Sequence, residues 1–291
     1  MIIVAVVVTF NPDADILNSL MDTLHPQVDH ILVIDNASDT PVQLPALEKV
    51  SLVTNSVNKG LGYAYNLGRE QARAFSASHL LLFDQDSCPA PDMVSQLKNA
   101  LLCAGDSPVA AVGPRYSDVK GQYTSPFVVL SGITLKRVDC ADGELVEVDH
   151  LISSGCLIAL DAWEDVGPFE EQLFIDYVDT EWCWRARRKG YRLLGAGSAR
   201  MVHNLGDDEF MAFGKPRVLH APFRLYYQMR NRCWMILQPG VGWRWRVMDS
   251  LRSIKIFLAI ALFSPNRWQR IKYMSKGIVD GLCAKMGRAG Q

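Results

Sequence analysis

Apolar residues along this chain come in short runs that stop abruptly at polar ones. Ile3–Thr9 is almost wholly aliphatic and gives way to Phe10-Asn11-Pro12; His30–Ile34 stops at Asp35-Asn36, Val50–Thr54 at Asn55, and His79–Phe83 at Asp84-Gln85-Asp86. Runs of this length, rich in Val, Ile and Leu, predict buried strands. Between them, Asp15–Thr23, Gly62–Ser76 and Asp92–Ala104 space their apolar residues as helices do. Strand–helix alternation predicts an α/β fold with a mostly parallel sheet covered on both faces. In such sheets ligands bind at the carboxyl ends of the strands, where these runs turn polar.

After Gly113-Pro114 the texture changes. Residues 115–150 alternate in short segments around Gly121, Gly132 and Asp142-Gly143, as a hairpin insertion would. A helix is expected to start near Asp179-Thr180-Glu181 and to end before Gly190, with Arg187, Arg188 and Lys189 favourable at its carboxyl end. Past Pro216 the chain reads as helices broken at Pro239-Gly240 and Pro265. Three regions follow: 1–114 and 115–214, two halves of one domain, and 215–291, a basic helical extension.

Length and composition narrow the class. With 291 residues and 49% hydrophobic content, the chain suits one large α/β domain with an extension, and disorder is excluded. The uncharged start Met1–Val8 reads as a first strand, not a signal peptide. Seven cysteines without a Cys-x-x-Cys pair argue for a reducing compartment, hence the cytoplasm, and against a disulfide framework or zinc site.

The net charge of −1 hides a division. Residues 1–214 carry 15 Lys/Arg against 29 Asp/Glu, a balance of −14, while 215–291 carry 15 against two, a balance of +13. The basic part also holds Trp234, Trp243, Trp245 and Trp268. This predicts an anionic partner. A membrane surface is favoured, because no nucleic-acid recognition motif accompanies the charge. The apolar run Ile256–Phe263 is far short of the ~20 residues a spanning helix needs, so peripheral association with the inner face of the cytoplasmic membrane is expected.

Candidate chemistry gathers at the strand ends. Two carboxylates in Asp84-Gln85-Asp86 repel one another unless a divalent cation, Mg²⁺ or Mn²⁺, is shared with substrate phosphates. Asp35 can accept the imide N–H of a pyrimidine, or simply close an Asx turn. From Asn58 to Gly68 the chain opens a helix on which Gly60, Ala64, Gly68 and Ala72 recur every fourth residue, a stripe that lets backbone approach closely. Neither a P-loop nor the dinucleotide fingerprint is present.

Val7–Pro12, Ile34–Ser38, Asn58–Gly68 and Phe83–Ser87 occur in the order and spacing of family-two inverting glycosyltransferases of the GT-A fold, which is Rossmann-like. With Asp179–Arg185, the chain most resembles bacterial rhamnosyltransferases that use dTDP-L-rhamnose, across roughly residues 1–235. The resemblance implies that 1–114 binds the nucleotide sugar and 115–214 binds the acceptor and completes catalysis, that Thr9 and Asn11 line the base and ribose pocket, and that Asp35 reads the pyrimidine. It also implies that Asn58, Gly60, Asn66, Asp84, Gln85 and Arg230 contact the nucleotide sugar, with Arg230 neutralising diphosphate. Asp86 and His203 would hold the metal, Asp179 would be the general base, and Trp184 and Glu181 would face the acceptor, a saccharide or lipid-linked saccharide. The start of a helix would keep Asp179 ionised. Asp176 and Glu181 compete with it for the role, and Val178 stands where the family has an acidic residue. The Gln-x-x-Arg-Trp element of processive synthases is absent, which implies single additions.

Three other readings remain, the nearest being a glycosyltransferase that uses a different UDP- or dTDP-sugar. An apolar strand before Asp-x-Asp is also how haloacid-dehalogenase-type phosphatases present their nucleophile, with Gly206-Asp207-Asp208 as a later acidic motif. A non-catalytic nucleotide-sugar-binding protein would use the same pocket without turnover.

Overall fold

All seven residues of the first strand are buried, which only a central strand covered on both faces allows. The computed structural model describes residues 1–117, 124–203 and 208–290, and counts refer to these. The first half runs β1 (Ile3–Thr9), α1 (Ala14–Leu24), β2 (His30–Asp35), β3 (Val50–Thr54), α2 (Leu61–Ala72), β4 (His79–Asp84), β5 (Ser87–Pro89), α3 (Met93–Leu102) and β6 (Val109–Ser117). Next come β7 (Phe127–Ser131), β8 (Thr134–Val138), β9 (Leu145–Glu147), β10 (Leu157–Ala159), α4 (Leu160–Val166), α5 (Val178–Arg188) and β11 (Arg192–His203). The chain closes with β12 (Asp208–Ala212), β13 (Lys215–Leu219), α6 (Pro222–Leu237), α7 (Trp243–Phe263) and α8 (Arg267–Leu282).

Nine strands form one sheet in the order β3-β2-β1-β4-β10-β6-β11-β5, with β9 alongside β11. The strands β1 to β4 run parallel, β10 is antiparallel between β4 and β6, and β11 is parallel to β6. Register aligns the polar ends: Thr9 pairs with Asp35, Val8 with Asp84 and Asp35 with Thr54. Three segments remote in sequence therefore present their motifs on one edge. Above the sheet, a Cβ added at Gly68 would stand 2.4 Å from Val6 Cγ1, so the small-residue stripe of α2 is what seats the helix on β1.

The mixed α/β fold agrees with the sequence reading, and β2 and β4 each run one residue further, taking in Asp35 and Asp84. The helix expected to Ser76 stops at Ala72 and tightens into a 3₁₀ turn over Arg73–Phe75. The stretch 115–150 is only partly an insertion. β7 and β8 form a hairpin around Gly132, but Leu145–Glu147 pairs with β11 as an edge of the main sheet.

Contacts divide the chain into two units. One comprises Met1–Val129, Arg137–Glu170 and Asp179–Asn204; the other comprises Leu130–Lys136, Glu171–Val178 and Leu205–Gln291. In the second unit α6 and α8 pack backbone to backbone, since a Cβ at Gly277 or Gly281 would fall 2.3 Å from the carbonyl of Tyr226 or Arg230. Among the described residues, no helix is long and apolar enough to cross a membrane.

Candidate active site

β1 and β2 end in a small hydrogen-bonded knot. Thr9, fully buried, donates its hydroxyl to Asp35 Oδ1 at 3.1 Å, and the backbone N–H of Ser38 donates to Asp35 Oδ2 at 3.1 Å. The Ser38 hydroxyl also donates to Oδ1, so three of the roughly four acceptor positions of this carboxylate are filled from within. Asn11, exposed and in the left-handed region at φ 49°, exchanges hydrogen bonds with Asp39: its amide donates to the carboxylate at 2.9 Å, and its carbonyl accepts the Asp39 N–H at 2.8 Å. Gln85 clips the same corner by accepting the Phe10 N–H at 2.7 Å and donating to the Phe10 carbonyl at 3.3 Å.

The turn into α2 is tied to β2 through Asn36, whose amide donates to the Gly60 carbonyl at 3.0 Å and whose carbonyl accepts the Lys59 N–H at 3.1 Å. Asn58 accepts the Gly60 N–H at 3.0 Å, and Gly60 caps the helix at φ 92°, a conformation that favours glycine. Asn66 was expected at the nucleotide sugar. It instead pairs with the backbone of Phe169, accepting the N–H at 2.9 Å and donating to the carbonyl at 3.0 Å.

At the end of β4, Asp84 accepts the phenolic hydrogen of the buried Tyr65 at 3.1 Å. Burial, and then the nearby charge of Asp84, raise the Tyr65 pKa well above its ordinary value, so the phenol remains a donor. The Asp84 N–H donates to Ser154 Oγ at 3.3 Å, and Ser154 Oγ lies 2.5 Å from Ser87 Oγ. The neighbouring Ser153 N–H donates to Asp179 Oδ2 at 3.3 Å. Two adjacent serines thus bond to Asp84 on one side and to Asp179 on the other. Gly155, at φ 78° with Pro114 2.6 Å from where a Cβ would sit, makes that turn possible and donates its N–H to the Leu82 carbonyl at 2.7 Å.

Asp179 lies in the first turn of α5, where the helix dipole favours the carboxylate, and it also accepts the Thr180 N–H at 2.7 Å. α5 is held by Trp182, which is buried, donates to the Gly167 carbonyl at 2.9 Å and packs 5.7 Å from Phe169. Glu181, expected at the acceptor, is turned away from that role. It is buried, bonded to Arg185 at 2.7 and 2.9 Å, and burial raises its pKa. Trp184 is half-buried under the Arg188 guanidinium, 4.8 Å from its ring.

Asp176, the other rival for the base, belongs to the second unit and is paired with Arg224 at 3.0 Å. Arg230, expected at the diphosphate, is also engaged within the second unit. Its side chain is fully buried in the second unit, donates to the carbonyls of Leu173 at 2.8 Å and Gln172 at 3.1 Å, and stacks 4.7 Å from the Tyr227 ring. Asn231 adds bonds to Leu173, Ile175 and Asp176 carbonyls at 2.8–3.0 Å. Together they hold a segment in which Phe174, Asp176 and Tyr177 all sit at φ 61–67°, a strain of about 1–3 kcal/mol each.

Asp86 is half-buried between β4 and β5, and β5 pairs Ser87 with His203. The His203 and Asp208 side chains, and Gly206-Asp207 of the acidic motif, lie outside the described residues. Among the described residues no three His, Cys, Asp or Glu converge as a full cage. One carboxylate at a sheet edge fits a hard cation that takes most of its shell from phosphate and water.

Sequence reasoning missed Tyr65, Ser153 and Ser154. The only hints were a tyrosine among small residues on the inner face of α2 and a Ser-Ser-Gly before an apolar run.

Comparison with known proteins bears on the family and the fold. The sequence model described as glycosyl transferase family 2 matches residues 4–150. A Shigella flexneri protein named dTDP-rhamnosyl transferase RfbF is 30% identical over 294 residues, spanning 99% of this chain and 97% of its own. Among solved structures, GalNAc-T7 with UDP, GalNAc and Mn²⁺ superimposes with a TM-score of 0.60 at 15% identity, over 95% of this chain and 54% of the other. This chain therefore spans about half the length of that enzyme. S. aureus TarS 1–349 in complex with UDP-GlcNAc gives 0.51 at 14% identity, over 98% and 73%.

Proposed function

The chain belongs to glycosyltransferase family 2, and from that premise we propose that it transfers L-rhamnose, with inversion, from dTDP-L-rhamnose. The acceptor is a saccharide or lipid-linked saccharide of bacterial cell-surface polysaccharide or lipopolysaccharide synthesis, met at the inner face of the cytoplasmic membrane. The observation that carries the sugar assignment is the end-to-end likeness to a rhamnosyl transferase. The phosphatase reading falls with family membership.

In this reading the thymine imide N–H donates to the remaining acceptor position of Asp35, beside Thr9 and Asn11. The backbone around Asn58 and Gly60 approaches the diphosphate, and Asp84, oriented by Tyr65 and Ser154, holds a hydroxyl of ribose or rhamnose. Gln85 contributes by fixing the end of β1. Asp86, together with His203, which β11 pairs with the neighbouring Ser87, would hold Mg²⁺ or Mn²⁺, and that ion would supply charge neutralisation of the diphosphate. Asp179 takes the proton of the acceptor hydroxyl as its oxygen attacks C1 opposite the diphosphate. The new C–O bond forms while the bond to diphosphate breaks, its electron pair leaving with the phosphate oxygen, so configuration inverts. Trp184 offers a partly exposed ring to the acceptor sugar.

The test is turnover with a panel of nucleotide sugars, dTDP-L-rhamnose first, on soluble and lipid-linked acceptors. Transfer from that donor with an inverted product is expected. Transfer only from a UDP-sugar would overturn the donor, and a retained anomer would overturn the mechanism. Asp86→Ala and excess chelator should each abolish transfer; full turnover in chelator would remove the metal.

A further inference from the structure

α7 carries an apolar stripe that nothing in the second unit covers. Val247, Leu251, Ile254, Leu258 and Leu262 are spaced at four, three, four and four residues, which puts them on one face, and each is 39–57% exposed. Arg244, seven residues before Leu251, and Lys255, four after it, share that face and are exposed. The stripe is not the contiguous run Ile256–Phe263 that hydropathy singles out, because Ala259 and Ile260 of that run are buried.

Charge decides the occupant. The segment 215–291 has two acidic side chains, and both are buried. Asp249 is fully buried against Arg232 at 3.0 Å, and Asp280 is bonded to Lys276 at 2.8 Å and Tyr226 at 2.9 Å. Every exposed side-chain charge of this segment is therefore positive, including Arg244, Arg252, Lys255, Arg267 and Lys272. A second copy docking here would bring like charges together. A nucleic acid would satisfy the cations but leave the aliphatic stripe wet. An anionic bilayer satisfies both, with methylenes for the stripe and headgroup phosphates for its rim. Trp243 and Trp268, 66% and 75% exposed, supply the amphipathic rings that settle at a lipid–water boundary. Ile254 and Leu258 also border an apolar cleft of about 340 Å³ shared with Met229, Cys233 and Ile236 of α6.

We propose that the 247–262 face of α7 lies in the surface of an anionic membrane, with Arg244 and Lys255 at headgroup level. This rests on the reading above only for where the acceptor is met.

The experiment is co-sedimentation of the full chain with phosphatidylglycerol and phosphatidylcholine vesicles at low and high salt. It is repeated for Leu251→Gln/Leu258→Gln and for Arg244→Gln/Lys255→Gln, with oligomeric state followed by light scattering. We expect at least tenfold stronger partitioning to phosphatidylglycerol. Either double variant should lose at least tenfold, with transfer to a soluble acceptor intact. Recovery in the supernatant in every arm overturns the proposal. So does wild-type binding that ignores Leu251→Gln/Leu258→Gln, and so does a wild-type dimer that this variant makes monomeric without any vesicle binding. Vesicle binding in a protein that transfers no rhamnose would sink the donor assignment alone.

Discussion

The phenol of Tyr65 donates to Asp84 Oδ1 at 3.1 Å, joining the middle of α2 to the carboxyl end of β4. A carboxylate held this way enters the site with one oxygen already oriented. Tyr65→Phe keeps the ring and removes that bond together with the hydroxyl's bond to the Ser153 side chain. A hydrogen bond to a charged acceptor is worth about 1.5–3 kcal/mol. The urea midpoint should therefore fall with an unchanged slope, and kcat/KM for the donor should drop about tenfold or more. An unchanged kcat/KM would show that Asp84 is oriented without its help.

Asp179→Asn should retain fold and donor affinity at the cost of one hydrogen bond, since the Ser153 and Thr180 N–H groups donate to different carboxylate oxygens and only one of them keeps an acceptor in the amide. The transfer rate should fall about 10²-fold or more, the scale for losing a general base. Glu181→Gln and Asp176→Asn are the controls, because their carboxylates are paired with Arg185 and Arg224. If either of them kills single-turnover transfer while Asp179→Asn stays active, the base has been misassigned.

Alkaline pH should unfold the protein early. Burial pushes the Cys183 thiol up to about 12, and raises Cys156 and the Tyr65 and Tyr177 phenols. All four keep their protons in the fold while the unfolded chain releases them, thiols from about pH 8.5 and phenols from about pH 10. Their contribution is complete below those values and is lost as pH rises toward the folded pKa. The urea midpoint should hold steady up to pH 8 and decline between pH 9 and 11. A flat midpoint over that range would contradict the burial of these groups.

Arg230→Lys separates a structural role from diphosphate binding. A lysine cannot reproduce the planar fork that reaches the Leu173 and Gln172 carbonyls. Each buried carbonyl left unpaired costs about 1–3 kcal/mol. Thermal stability should fall while the affinity of folded protein for dTDP stays near wild type. A selective loss of dTDP affinity would restore the diphosphate role.

The sequence by itself determined the four parallel strands of the first half, the limits of the helices between them to within a few residues, and the edge at which Asp35, Asp84 and Asp86 lie, but not β6, β10 or β11 of the same sheet. Hydrophobic periodicity is local, and parallel register follows once successive βαβ units stack. The same locality explains what it could not decide. Asn66, Glu181 and Arg230 occupy motif positions, yet their partners are Phe169, Arg185 and the 172–173 carbonyls. Asn66 and Arg230 reach theirs only when distant segments meet, and Glu181 is taken up by a pair within its own helix that burial makes strong. Tyr65 and Ser153-Ser154 joined the site for the opposite reason: nothing in a short window marks a buried phenol or a serine turn as the neighbour of a remote carboxylate. The exposed apolar stripe of α7 is the same case. Hydropathy sees the run 256–263, but which of its residues face outward depended on α6 and α8 packing through Gly277 and Gly281. Tertiary structure chose the partners because a polar group is claimed by whatever burial brings within hydrogen-bond distance, and burial is a property of the whole chain.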